Sequence, residues 1–312
     1  MPITLERPVD TTIHDISANL CRATGAPLRV HGRLTGPDGA PVCLVLGGIS
    51  SDRAVASSRN ETGWWPAQAG PGRAIDTDHW RILSFDFLAD EVKPLPTTSD
   101  QAHAILALAD AAGIESFSIV GASYGGMIGL ALAVLAPDRV ERLLVISAAH
   151  RASALAQAWR SIQRDTVELA LQYGDGRAGL DLARRLAMTT YRTPIELESR
   201  FYDPEPDCRD ANGVVAYLEA RGREFAARVA PQRFLALSRS MDEHCIDPGR
   251  LECPVTYLAV VEDQLVPPEQ IAEAARSTPM GTLKRLHSLY GHDAFLKEDA
   301  AISAAITSFL GG

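Results

Sequence analysis

The sequence predicts an α/β protein, a mostly parallel central sheet with helices on both faces and a block of helices inserted into it. Two observations carry this. Short β-branched runs alternate with helix-like segments over residues 28–147 and again after Pro248, the rhythm of strands joined by crossover helices. Between His150 and Asp247 that rhythm stops, and long Ala- and Arg-rich helical stretches follow one another with no strand run between them.

The strand runs are Leu28 to Leu34, Pro41 to Leu46, Trp80 to Phe87, Phe117 to Val120 and Arg142 to Ser147. Continuous apolar runs of this kind suit strands buried on both faces. Ser99 to Ala112 reads as a helix with Ser99 as its cap and Gly113 as its stop, and Gly125 to Leu135 as a second that ends at Ala136-Pro137. The inserted helices are Ser153 to Tyr173, Ala178 to Thr190, Gly213 to Ala230 and Pro231 to Met241. Pro204 to Asp210, with its prolines and acidic residues, reads as an exposed loop. The strand pattern returns with Val255 to Val261 and Thr282 to Leu289, alternating with helices from Pro268 to Ser277 and Asp299 to Phe309. Residues 1–149 and 248–312 are therefore expected to form one core, with 150–247 as a helical insertion.

Composition narrows the function. A formal net charge of −9 over 312 residues argues against nucleic-acid binding, which needs a clustered basic surface. The longest apolar run, Met127 to Ala136, spans ten residues, well short of the ~20 that cross a bilayer. The N-terminus MPITLERPVD lacks the pattern of a signal peptide. Five cysteines, Cys21, Cys43, Cys208, Cys245 and Cys253, show no C-x-x-C or His-paired metal spacing. They read as structural thiols of a soluble, cytoplasmic protein, and no metal site is expected.

The chemistry concentrates in Gly121-Ala-Ser123-Tyr-Gly125-Gly126, directly after one strand run and at the start of a helix. Strand, sharp turn and helix hold such a serine exposed on a strained elbow, the mark of an α/β-hydrolase fold. A serine needs a base to act as a nucleophile. Of the eight histidines, His292 lies between the last strand run and the last helix, where this fold presents its base. His14, His79, His103, His244 and His287 have no comparable placement. Asp263 follows the run ending at Val261 and is expected to orient the imidazole, with Glu262 as the rival acid; alternation along a strand points the two oppositely. The order Ser123, Asp263, His292 is the one the fold requires. The backbone N–H groups of Tyr124 and Ile49, the latter in Leu46-Gly-Gly-Ile-Ser50, are expected to receive an oxyanion.

With these residues in hand, the chain resembles the homoserine O-acyltransferases, enzymes of methionine biosynthesis on the α/β-hydrolase fold. The similarity covers most of the chain. It is carried by Gly63-Trp-Trp-Pro-Ala-Gln-Ala-Gly-Pro-Gly-Arg-Ala-Ile-Asp-Thr-Asp78, the elbow through Met127, Pro137-Asp-Arg-Val140, Gln163-Arg164, Gly179 to Arg184 with Thr190-Tyr191, Val215 to Phe225, Ser238 to Asp242, and Gly291-His-Asp-Ala-Phe295. The resemblance implies acyl transfer from acyl-CoA as co-substrate, with no permanently bound cofactor, to the hydroxyl of L-homoserine through an acyl-Ser123 intermediate. It implies a lid formed by the inserted helices, a homodimer, and a substrate carboxylate held by Arg184 and Tyr191 with the amine on Asp293. Leu46-Gly-Gly-Ile-Ser50 and Gly-Ala-Ser-Tyr-Gly-Gly-Met127 look most like the succinyl-type members, so a succinyl donor is favoured over acetyl. A serine O-acyltransferase and a Ser-His-Asp ester or thioester hydrolase are the alternatives. Arg160 and Arg164, four residues apart on one helix, read as an exposed basic face rather than as ligands of a succinyl carboxylate. Two segments depart from longer relatives: Leu88 to Thr98 stands where those carry a Gly/Ser-rich stretch, and the block is shorter around Gly174 to Arg177.

Overall fold

A computed structural model describes residues 12–20, 27–89, 92–202 and 213–311. Ten strands are present among them: β1 Ile13–Leu20, β2 Leu28–Thr35, β3 Val42–Leu46, β4 Ala69–Gly70, β5 Ile75–Asp76, β6 Arg81–Phe85, β7 Phe117–Ala122, β8 Val140–Ile146, β9 Val255–Val260 and β10 Gly281–Leu286. The helices are α1 Thr98–Ala111, α2 Tyr124–Leu135, α3 Ala154–Gln172, α4 Gly176–Tyr191, α5 Pro194–Phe201, α6 Gly213–Arg228, α7 Pro231–Glu243, α8 Pro268–Ser277, α9 Ala294–Lys297 and α10 Asp299–Leu310. Eight strands form one sheet in the order β1-β2-β6-β3-β7-β8-β9-β10. β2 pairs antiparallel with both neighbours, and the remaining pairs are parallel.

Alternation along the central strands sends successive side chains into two separate cores. Leu44, Leu46, Leu143 and Val145 join Ile105, Leu108 and Ile128 of α1 and α2 on one face. Cys43, Val45, Leu144 and Ile146 join Trp65, Ile302 and Ile306 on the other. With both faces covered, each fully buried aliphatic side chain contributes about 1.5–3 kcal/mol, which is why these strands appear in the sequence as unbroken apolar runs.

Between β8 and β9 lie α3 to α7. Four of these helices share a small core of their own, Val167, Leu180, Ala183, Phe225, Ala226 and Phe234. The chain segments entering and leaving the block meet in a bridge between Arg151 and Cys245.

Some elements differ from expectation. β1 was not foreseen: as an edge strand it is largely solvent-facing, and IHDISANL has no apolar run to give it away. α5 is short and begins with Pro194 behind the Thr193 cap. The cap of α1 is Thr97 rather than Ser99. Its hydroxyl accepts the Asp100 N–H at 3.2 Å while the Asp100 carboxylate accepts the Thr97 N–H at 2.9 Å, a reciprocal pair that satisfies two otherwise orphaned donors. β10 stops at Leu286, because His287 and the Ser288 N–H turn instead to the Glu262 carboxylate, at 2.9 and 2.8 Å. Residues 204–210, Cys21 and Cys208 lie outside the described residues. Cys43 and Cys253 are buried free thiols and Cys245 is exposed; burial pushes the Cys43 thiol up to about 12, so it stays protonated and inert.

Candidate active site

β7 ends at Ala122 and α2 begins at Tyr124, leaving Ser123 alone in the turn with φ 53° and ψ −122°. A left-handed serine is strained, and neighbours hold it there: its N–H donates to Ile146 O at 2.9 Å, and the Gly125 N–H donates to Gly47 O at 2.9 Å. A side chain at Gly125 would collide with the Leu46 backbone. α2 can therefore sit hard against β3 only because that residue is glycine.

The Ser123 hydroxyl lies 2.8 Å from His292 Nε2, and His292 Nδ1 lies 2.7 Å from Asp263 Oδ2. The other Asp263 oxygen accepts the N–H groups of Leu265 and Val266 at 2.9 and 3.1 Å. With Asp263 accepting at Nδ1, the neutral ring carries its proton there and leaves Nε2 free to accept from the serine. Glu262 points away, toward His287 and Ser288. Burial acts to lower the His292 pKa, but the charge and hydrogen bond of Asp263, aided by Asp293, outweigh it and the opposing Arg160 charge. The imidazole is held above its ordinary 6.5.

His292 itself sits in a tight turn. Gly291 has φ +53°, and a Cβ there would come within 2.7 Å of Tyr191 O, so glycine is required both for conformation and for space. The Tyr191 ring lies 5.7 Å from the imidazole, and Phe295 meets it edge-on at 6.2 Å. Phe295 is braced in turn by Trp65, whose indole N–H donates to its carbonyl at 2.9 Å. This gives the segment from Gly63 to Asp78 a physical purpose: it buttresses the turn carrying the base.

Ser123 and His292 open into a cavity also lined by Ile49, Arg184, Tyr191 and Asp293. The predicted site residues thus gather in one place. The Tyr124 side chain is fully buried, with its hydroxyl 2.8 Å from Ser240 Oγ and accepting from Gln101 Nε2 at 3.2 Å. Its N–H is the first of α2 and has no carbonyl one turn back to bond within the helix. Arg184 stacks between the Tyr191 and Phe225 rings, 5.1 and 4.8 Å from their centres. Asp293 is not free: buried Arg192 brings Nε within 3.1 Å of its carboxylate, a charge contact without hydrogen-bond geometry.

The expectation for Arg160 and Arg164 is overturned. They lie on the inward face of α3, where Arg160 lines the cavity and is only 8% exposed. Arg160 Nε and Arg164 Nη1 grip the two oxygens of Asp242 on α7, each at 2.6 Å. A buried and a partly buried cation share one anion, and Arg160 Nη2 is buried with no partner. The i, i+4 spacing of the arginines was visible in sequence; the distant Asp242 that turns them inward was not. Leu88 to Thr98 contributes nothing to the cavity lining among the described residues; residues 90–91 lie outside them.

Chemically, this arrangement can activate a serine and hold an anionic group against buried guanidinium. A profile of the alpha/beta hydrolase fold matches residues 62–299. The chain is also 42% identical over 292 residues to a homoserine O-succinyltransferase of Xanthomonas campestris pv. campestris, covering 91% of this chain and 79% of that protein. The chain belongs to the homoserine O-acyltransferase family of the α/β-hydrolase fold. A serine O-succinyltransferase of Xylella fastidiosa is 29% identical, with 86% of each chain covered. Among solved structures, a homoserine O-acetyltransferase from Bacillus anthracis superposes with a TM-score of 0.83 at 18% identity, over 97% of this chain and 98% of that one. At that identity the likeness speaks for the family fold alone. Among the described residues no helix is long and apolar enough to cross a membrane, and no cluster of metal-ligating side chains occurs.

Proposed function

We propose that this protein transfers a succinyl group from succinyl-CoA to the side-chain hydroxyl of L-homoserine, through an ester on Ser123. The observation that carries the donor choice is the unbalanced charge at α3 and α7: Arg160 and Arg164 against Asp242 alone, with a guanidinium N–H left over at the cavity wall. Two largely buried cations sharing one anion leave a positive charge uncompensated, which is costly, and the free carboxylate of a succinyl group supplies the missing anion where an acetyl group offers none. The relative named homoserine O-succinyltransferase supports the same choice.

In this mechanism His292 Nε2 takes the Ser123 proton as Oγ attacks the thioester carbon. The developing oxyanion is received by the N–H groups of Tyr124 and Ile49. The C–S bond breaks, and the proton on His292 passes to the departing thiolate. Homoserine then gives its hydroxyl proton to His292, its oxygen attacks the acyl carbon, and the bond to Ser123 Oγ breaks as the proton returns to serine. Arg184 suits the acceptor's carboxylate and Asp293 its ammonium, with Tyr191 packed against both Arg184 and His292. Arg192, with its Nε 3.1 Å from the Asp293 carboxylate, holds that carboxylate in position. The block α3 to α7 acts as a lid, keeping water from the acyl-enzyme so that transfer outruns hydrolysis.

A homodimer and a cytoplasmic setting belong to the same reading. Leu155, Ile162 and Leu169 recur every seven residues along α3 and are 52%, 54% and 56% exposed, a stripe suited to packing against a second helix.

The test is CoA release from succinyl-CoA and acetyl-CoA, each with homoserine, with serine and with no acceptor, for the native protein and for Ser123→Ala. Homoserine-dependent release from succinyl-CoA, lost in Ser123→Ala by at least about 10³-fold, is expected. Release indifferent to acceptor would make the protein a thioester hydrolase, and a preference for serine would reassign the acceptor.

A further inference from the structure

Ser147 closes β8 beside the elbow, one residue after the carbonyl that accepts the Ser123 N–H, and its own N–H donates to Leu258 O at 3.1 Å. Two of its features go unexplained by the fold. It has φ 50°, and among the described residues the one other non-glycine residue with positive φ is Ser123. Its hydroxyl is also fully buried and bonds to nothing. A serine at a strand end ordinarily satisfies its hydroxyl on nearby backbone. Here a strained conformation is kept while the hydroxyl stays unsatisfied, the signature of a group arranged for a ligand.

The ligand's position follows from the neighbours. Ser147 lines the same cavity as Ser123 and Arg160, so two residues that each carry a buried polar atom without a partner, Ser147 Oγ and Arg160 Nη2, border one space. Met127, Met241, Leu265 and Val266 line that cavity too; their apolar side chains suit methylene groups and give a bridging water few partners.

Building on the succinyl-transfer reading above, we propose that Ser147 is a specificity-determining residue for the acyl group, its hydroxyl donating a hydrogen bond to the far carboxylate of the bound succinyl chain beside Arg160. The acyl carbon is fixed at Ser123 Oγ, the two methylenes run over the apolar wall, and the carboxylate meets both donors. A neutral acyl group leaves both donors stranded. A site built around such donors rejects a ligand lacking their partner more strongly than apolar fit alone allows.

The test measures kcat/KM at saturating homoserine for succinyl-CoA and for butyryl-CoA, which has the same four-carbon chain without the carboxylate. The proteins compared are the native chain, Ser147→Ala and Ser147→Gly. Glycine adopts positive φ without strain, so Ser147→Gly keeps the test decisive should Ser147→Ala fold poorly. The succinyl-to-butyryl ratio is expected to fall about 10- to 100-fold in both variants, as for loss of a hydrogen bond to a charged group. Equal losses on both donors, or an unchanged ratio, would overturn the assignment, because a backbone role moves both donors together. A native enzyme with no preference for succinyl over butyryl would instead overturn the succinyl-transfer reading, and this inference with it.

Discussion

The Tyr124 and Ser240 hydroxyls lie 2.8 Å apart, tying the residue after Ser123 to α7 of the inserted block. In the proposed mechanism Tyr124 offers its backbone N–H to the oxyanion, so whatever fixes its side chain would also aim that N–H. Burial raises its hydroxyl to about 12, and it remains a neutral hydrogen-bonding group throughout the working range. Ser240→Ala leaves Gln101 as the remaining partner and is expected to cost about 1 kcal/mol of stability. Because the oxyanion forms only in the transition state, kcat should fall a few-fold while the donor KM holds. Thermal unfolding with steady-state kinetics checks this; a change confined to KM would separate α7 from the oxyanion site.

His292 must be neutral to accept the serine proton. With its folded pKa raised above 6.5, kcat/KM should decline toward acid with an apparent pKa above that value. Asp263→Asn removes the main raising influence, so the acid limb should move to lower pH while kcat drops by about 10³- to 10⁴-fold. Stability follows with its own sign. The folded state binds the His292 proton more tightly than the unfolded chain, so this contribution is complete below about 6.5 and disappears as pH rises through the folded value. Denaturant titrations of both proteins across that window read it directly, and an unmoved acid limb in Asp263→Asn would show that Asp263 does not set the imidazole.

What the sequence made legible was local. Ser123 and Asp263 each follow an apolar run at a strand's end, His292 falls between the last strand and the last helix, and the elbow glycines mark a turn that only small residues permit. Long-range pairing was opaque. Nothing near Arg160 in sequence distinguishes an exposed basic helix face from an inward one; the deciding partner, Asp242, is 82 positions away. β1 escaped for a related reason, since its contribution comes through ladder pairing with β2 at the sheet edge and not through an apolar pattern. Ser147 gives no sequence signal at all, because its left-handed backbone and solitary hydroxyl exist only once β8 is placed beside the elbow.

Arg160 and Asp242 should separate binding from folding. Arg160→Met keeps an unbranched chain of similar length and leaves Arg164 and Asp242 as a balanced pair. We expect kcat/KM for succinyl-CoA to fall about 100-fold with a much smaller change for acetyl-CoA, narrowing or reversing the preference. Asp242→Ala instead strands two largely buried guanidiniums and should destabilise the fold by about 3–5 kcal/mol. Donor kinetics beside chemical denaturation distinguish the two effects. A uniform activity loss in Arg160→Met would remove the ground for a succinyl donor.

The α3 stripe bears on assembly. Leu155, Ile162 and Leu169 lie along one outward line, while Ala156, Arg160, Gln163 and Val167 of the same helix are buried. Three exposed aliphatic residues in register give a surface that water disfavours, and a second copy related by a two-fold axis would cover it with its own stripe. Ile162→Glu combined with Leu169→Glu places like charges at the centre of such a contact and should convert the proposed dimer to monomer without unfolding the chain, since both positions are already solvated within one protomer. Sedimentation or light scattering gives the mass, and circular dichroism checks the fold. A native protein that sediments as a monomer, or a dimer indifferent to both charges, would move the interface elsewhere or remove it.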